Sequence, residues 1–206
     1  PEQAILNLER ETGGRGFDNV RDAGRDRWNA ELGRIRIEGG TYDQQRTFYS
    51  TLYRTLLFPR MFYETDSTEN IVHYSPYNGK VLPGRLFTDN GFWDTFRAAM
   101  PLITLMYPEM SSHIMEGLVN AYMESGWLPE WASPGHRNCM IGSNSASLIA
   151  DAYLKGIRGY DIDTLWSAMV KNTLGHGPVH SVGRYGAEYY NSMGHVPYDA
   201  GINENV

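Results

Sequence analysis

Apolar residues recur at three- and four-residue intervals in six separate stretches, and Gly or Pro interrupts the chain between them. That periodicity is the signature of helices that each bury one face. The spacing predicts a helix over Asp18 to Leu32, with Val20, Ala23, Trp28 and Leu32 in phase, and Gly39-Gly40 separates it from the next. Asp43 to Leu57 follows, with Phe48, Leu52, Thr55 and Leu56 on one face and Pro59 as its stop. A third helix is expected from about Gly91 to Leu105, kinked or interrupted at Pro101. Ser111 to Ser125 directs Ile114, Leu118, Ala121 and Tyr122 inward and ends at the cap residue Gly126. Ser145 to Lys155 carries Ala146, Leu148, Ile149, Ala152 and Tyr153, and Gly156 closes it. Asp161 is an N-cap for a helix through Asn172, with Ile162, Leu165, Met169 and Val170 facing the core.

Between these helices lie segments of a different kind. Arg60 to Leu86 mixes Phe62-Tyr63 and Val72-His73-Tyr74 with the turn formers Asn78-Gly79 and Pro83-Gly84, so a long loop with short strands is expected. Trp127 to Ile141 reads as a second irregular loop, and Gly175 to Val206 as a third with one short helix near Tyr185 to Ser192. Loops of such length in a compact domain tend to carry function. Six or seven helices alternating with long loops suit helical hairpins packed around an axis, with the loops gathered at one end. A closed barrel of six hairpins takes roughly 300 residues or more. The 206 residues here correspond to about half of one, a mainly α partial (α/α)6 barrel.

The charge is modestly acidic, −6, and the Lys and Arg residues form no basic run, which argues against nucleic acid as a partner. No apolar stretch reaches the roughly 20 residues of a membrane span. Cys139 is the single cysteine, so intrachain disulfides and cysteine metal clusters are excluded. Among the histidines only His176 and His180 have the four-residue spacing of a helical metal site, and Gly177-Pro178 between them places the pair in a loop. No phosphate-binding glycine loop and no nucleophile elbow is present. Aromatic residues are 13% of the chain, including 14 Tyr and 5 Trp, which suits both core filling and stacking against the C–H faces of sugar rings.

Three constellations carry chemistry. In Asn90-Gly91-Phe92-Trp93-Asp94-Thr95-Phe96-Arg97 the Asp and Arg are three residues apart, which on a helix makes them neighbours. One reading is an ion pair at a helix start, with Trp93 in the core. The other is a sugar site: Trp93 stacks, Asp94 accepts from two vicinal hydroxyls, and Arg97 keeps the carboxylate ionised and oriented. Gly126-Trp127-Leu128-Pro129-Glu130-Trp131 is either a pocket mouth, with Glu130 a formal candidate for a general acid, or a hydrophobic plug behind a capped helix. Asn138 to Ser145 leads into a helix N-terminus, where Gly142 lets a ligand oxygen approach the backbone or where the helix is simply capped.

In this order and at this spacing, Phe92-Trp93-Asp94-Thr95-Phe96-Arg97-Ala98 with Pro101-Leu102, Gly126-Trp127-Leu128-Pro129-Glu130-Trp131, Cys139-Met140-Ile141-Gly142 and Ala150-Asp151-Ala152-Tyr153-Leu154-Lys155-Gly156-Ile157 resemble glycoside hydrolase family 92. Phe48-Tyr49, Leu52-Tyr53-Arg54 and Gly194-His195-Val196-Pro197 fit the same family, over nearly the whole chain. The resemblance implies an exo-acting α-mannosidase with an (α/α)6 catalytic region behind a β-sandwich. It implies removal of terminal α-linked mannose, α-1,2 above all, from mannans or N-glycans, with inversion and with calcium holding the sugar hydroxyls. It implies an exported protein, periplasmic or extracellular.

By the same resemblance, residues 1–206 are a fragment of one catalytic domain, without the β-sandwich and the C-terminal half of the barrel. The general acid, the general base and the calcium ligands are expected beyond Val206, in the remainder of the parent polypeptide. The catalytic residues are therefore unassigned, Glu130 and Asp199 included, and no metal ligand is assigned within the chain. Trp93, Asp94 and Arg97 are carried over as residues that bind the mannose-containing glycan. Ser133-Pro134-Gly135-His136-Arg137 stands where a more acidic loop is expected, which bears on linkage preference. The rival expectations are a non-catalytic carbohydrate-binding or structural helical module, and another (α/α)6 glycosidase acting on glucosides.

Overall fold

The computed structural model describes residues 2–198. They form two compact units, one from the N-terminus to Phe58 with Glu64–Asn70, the other Pro59–Tyr63 with everything from Ile71 onward.

The first unit holds helices α1 (Glu2–Thr12), α2 (Phe17–Leu32) and α3 (Tyr42–Thr55), and the short strand β2 (Glu64–Thr65) that follows β1 (Arg60–Met61) in the chain. Helix α1 is absent from the sequence expectation. Its apolar residues Ile5 and Leu8 are 57% and 61% exposed. What ties it down is polar: the Arg10 guanidinium donates to the carbonyls of Thr65 and Asp66 and pairs with Glu69. Helices α2 and α3 run where the periodicity puts them. Thr41 caps α3 through a capping box in which its hydroxyl accepts from the Gln44 amide and the Gln44 side chain accepts from the Thr41 amide. Leu52 is buried, and Phe48, Thr55 and Leu56 beside it are half-buried. Trp28 and Tyr53 meet at 4.5 Å between ring centres.

The second unit begins with β1 and continues through β3 (Ile71–Tyr74), β4 (Val81–Pro83), β5 (Phe87–Thr88) and β6 (Asn90–Gly91). Strands β3 and β4 form a hairpin in which Val72, His73 and Tyr74 face Pro83, Leu82 and Val81. Gly79 turns it in the left-handed region, φ 74°, as Asn78-Gly79 predicts. Helices α4 (Phe92–Thr95), α5 (Ala99–Met106) and α6 (Pro108–Ser125) follow. Then come β7 (Trp131–Ala132), α7 (Asn144–Leu154), α8 (Ile162–Leu174) and α9 (Ala187–Met193). The fold is thus mainly α, with nine helices among the described residues.

Helices α5 to α8 pack around one core, in which Met100, Met115, Ile149 and Leu165 are at most 1% exposed. Each such side chain contributes about 2 kcal/mol. Asp161 caps α8 by accepting from the Thr164 amide at 3.0 Å, and Gly126 ends α6 at φ 80°. Both are as the sequence predicts. Two apolar-phase residues depart from it: Tyr153 and Val170 are 43% and 39% exposed among the described residues.

The helix expected over Gly91 to Leu105 is two helices, and the break lies before Pro101. Ala98 leaves helical geometry at φ −143°. Pro101 is the third residue of α5, inside the first turn, where its missing N–H costs no bond and there is no earlier turn for its ring to strike. Proline therefore marks a restart of the helix here. Pro108 at the first position of α6 does the same and carries that helix three residues further back than Ser111.

Candidate functional site

Strand β6 pairs with β7, Asn90 opposite Ala132 and Gly91 opposite Trp131, and leads directly into α4. The four residues of α4 end at once, so the Trp93 and Asp94 side chains stand on a short, exposed turn. Trp93 is 37% exposed and Asp94 is exposed. The turn is held from below: Phe92 is 4% exposed in the core, its amide donates to the Glu130 carbonyl at 3.0 Å, and the Thr95 hydroxyl donates to the Gly91 carbonyl.

Arg97 does not pair with Asp94 among the described residues. Its guanidinium lies over the Trp93 ring, 4.1 Å from the ring centre, and near Phe96 at 4.7 Å, and it donates to the Trp93 carbonyl. This corrects both the helix-start ion pair and the expected role of Arg97 as the partner of Asp94. The physical reason is the early end of α4: Arg97 lies past the last helical residue, so the three-residue spacing no longer places the two side chains on a common face. Arg97 supports the indole through cation–π attraction instead. It covers one face of the ring.

Gly91 is where Asp94 and a second indole meet. A Cβ on Gly91 would lie 2.4 Å from the Trp131 ring and 3.0 Å from Asp94 Oδ2. Its backbone, φ −96°, is open to any residue, so the need for glycine is purely steric. Gly91→Ala in the full-length protein is expected to lower stability by about 1–3 kcal/mol by pushing Trp131 aside. Thermal unfolding checks this, and an unchanged midpoint with an unmoved Trp131 would show that the contact has slack.

The 126–131 segment divides in two. Trp127 packs beneath Lys171, 4.6 Å from Nζ to the ring centre, and closely against Gly177 and Gly183. Leu128 and Glu130 are fully buried. Trp131 approaches the Trp93–Asp94 turn at Gly91, and the Glu130 carbonyl holds the turn through Phe92. Glu130 is a tether: Oε2 accepts from the Asn144 amide and Oε1 from the Ser145 hydroxyl, both at 2.8 Å. Burial pushes its carboxyl up to about 8, against the hydrogen bonds of Ser145 and Asn144, which pull it down. It holds the N-terminus of α7, where Ser143 provides no side-chain cap. The Asn138–Ser145 loop is thus ordinary helix capping, supplied from a distant residue.

Other candidates are structural as well. His136 sits 4.8 Å from Tyr77, and burial pulls it down to about 4, so it is neutral at pH 7. His73 Nδ1 donates to the Gly84 carbonyl and Nε2 bonds Glu124 at 2.7 Å, which ties β3 to α6. No sequence spacing announces that pair. His180 stacks on Tyr185 at 4.6 Å, and His176 meets the same ring edge-on. Among the described residues no three His, Cys, Asp or Glu side chains converge as a metal site. Asp199 lies outside the described residues.

The profile of the glycosyl hydrolase family 92 catalytic domain matches residues 3–206. The chain belongs to glycosyl hydrolase family 92. Among solved structures, this family 92 chain is similar to a family 92 inverting mannosidase from Bacteroides thetaiotaomicron, with 55% identity and a TM-score of 0.93 over 97% of its own length and 27% of the other's. A family 92 α-mannosidase of the same organism matches at 26% identity and TM-score 0.81, over 94% of this chain and 26% of that one. An uncharacterized secreted glycosidase of Arthroderma benhamiae is 29% identical over 95% of the chain and 22% of its own length. The chain therefore spans about a quarter of the length of these relatives.

Proposed function

We propose that the complete protein is an exo-acting α-mannosidase and that the Trp93–Asp94 turn forms one wall of its mannose pocket. The observation that carries this reading is the exposed carboxylate of Asp94, unengaged by any described residue and close to the Trp131 ring beside Gly91, in a family 92 chain. Asp94 accepts from two adjacent hydroxyls of a terminal mannose, and the exposed part of the Trp93 ring packs on the sugar's C–H surface. Arg97 locks the Trp93 ring. The helices described above form part of an (α/α)6 barrel whose other hairpins, general acid and general base belong to the rest of the parent polypeptide. The reaction is hydrolysis of a terminal α-1,2-mannosidic bond with inversion: one carboxyl protonates the leaving oxygen and another activates water from the opposite face. A calcium ion would be held by oxygen ligands outside these residues and would supply charge at the sugar hydroxyls. The site of action is extracellular or periplasmic, in keeping with the secreted Arthroderma relative. Among the described residues no helix is long and apolar enough to cross a membrane.

The test is an assay of the full-length protein on α-1,2-mannobiose and on the matching α-glucoside, with calcium and with a chelator. Mannose released as the β-anomer, lost with the chelator and regained with calcium, is expected. Preferential glucose release would overturn the substrate, and activity insensitive to chelation would overturn the calcium requirement. Isolated residues 1–206 are expected to be inactive in the same assay, and robust turnover by them would refute the placement of the reacting carboxyls.

A further inference from the structure

Asp89 stands at the junction of two ribbons. Strand β5 before it pairs with β1, Arg60 opposite Thr88, while β6 after it pairs with β7, Asn90 opposite Ala132. One residue redirects the chain from the first ribbon to the second. It does so in the left-handed region, φ 57°, a conformation that glycine adopts without penalty and other residues rarely do. If the turn alone mattered, glycine would serve best. Asp89 adds a carboxylate, and each oxygen goes to a different ribbon. Oδ1 accepts from the Ser133 hydroxyl at 3.0 Å, just past β7, and Oδ2 pairs with Arg60 Nη1 at 3.3 Å, in β1. The carboxylate spans the joint and fixes the angle at which β6 leaves it. Gly91, Phe92, Trp93 and Asp94 follow without an intervening loop, so that angle sets where the indole and the carboxylate of the pocket wall point.

We propose that Asp89 is a positioning residue for the Trp93–Asp94 wall and acts through its clamp on Arg60 and Ser133. The proposal rests on the sugar-site reading above. A misplacement of about 1 Å in a group that contacts the reacting sugar is enough for a rate loss on the order of 100-fold.

The experiment uses the full-length enzyme and three variants. Asp89→Gly keeps the left-handed turn and removes both arms of the clamp. Asp89→Asn keeps an acceptor for Ser133 in a residue that also tolerates this turn. Asp94→Asn probes the wall directly. Steady-state kinetics on an α-mannoside and thermal midpoints are measured for each. Asp89→Gly is expected to lose on the order of 10- to 100-fold in kcat while KM moves much less and the protein remains folded at the assay temperature. Asp89→Asn is expected to recover most of the loss. Wild-type kcat in Asp89→Gly, or a loss no larger than its unfolded fraction, overturns the proposal while Asp94→Asn still impairs the enzyme. If Asp94→Asn is itself as active as the wild type, the sugar-site reading falls, and the role of Asp89 falls with it.

Discussion

Replacing Asp94 by Asn in the full-length enzyme is expected to lower kcat/KM on the order of 10³-fold, with the thermal midpoint unchanged. Both halves follow from the position of the residue. The carboxylate is exposed and engages no described residue, so its loss strands no partner, and a surface change of this kind shifts stability by less than about 0.5 kcal/mol. At a sugar the same change is severe. An amide keeps one acceptor and puts a donor where the second acceptor was, so one of two vicinal hydroxyls loses its partner. Contacts that tighten as the ring distorts are worth more in the transition state than in the ground state, so the loss falls on kcat more than on KM. Steady-state kinetics beside a melting curve separate the two effects. Near-normal kinetics would remove Asp94 from the site.

Glu130→Ala is expected to be the opposite case, costing about 3–5 kcal/mol of stability through two buried donors, the Asn144 amide and the Ser145 hydroxyl, left without an acceptor. Against a total stability of about 5–15 kcal/mol that is a large fraction. Glu130 also gives the fold a pH dependence. Burial raises its carboxyl from the ordinary 4.5 to about 8, so folding favours the protonated form. That contribution is complete below about pH 4.5 and is lost as the pH climbs through 8. The midpoint should therefore fall between pH 5 and pH 9, by roughly a few degrees. Glu130→Gln, neutral throughout, keeps an acceptor for the Asn144 amide and offers its own N–H to the Ser145 oxygen. It should flatten that slope, and an equal slope in both proteins would assign the dependence to another group.

Much of the helical framework was legible in the sequence because its signals are local. Asp161 announces a helix start through a side chain that reaches three residues along the chain, and Gly126 announces an end through its own backbone. Apolar phase located the core faces of α6, α7 and α8. The same phase placed Tyr153 and Val170 inside, because periodicity reports one face of a helix and not how much of that face a neighbour covers. The bonds from Arg10 that hold helix α1 to Thr65 and Asp66 span more than fifty residues, and periodicity does not report them.

In the site, the ordered motifs drew attention to Trp93, Asp94 and Arg97, but the partner of Arg97 depends on where α4 ends, which no residue in it declares. Gly91 against Trp131, Asp89 between Arg60 and Ser133, and Glu130 on α7 join residues far apart in the chain. Chain order carries no mark of such contacts. A buried glutamate in a Pro-stiffened loop looks the same in sequence whether it moves a proton or caps a helix.

The two attachments of Glu130 differ in reach, and that difference orders the assembly of the site. Its side chain joins residues 14 and 15 positions downstream. Its carbonyl receives the amide of Phe92, much further back along the chain. The entropy lost on closing a loop grows with the loop's length, so the nearer link forms the more readily. The corner between the 126–131 loop and α7 can close early as a nucleus, and the segment bearing Trp93 and Asp94 docks onto a carbonyl already held in place. The Trp93–Asp94 turn is therefore expected to dock after that corner has formed.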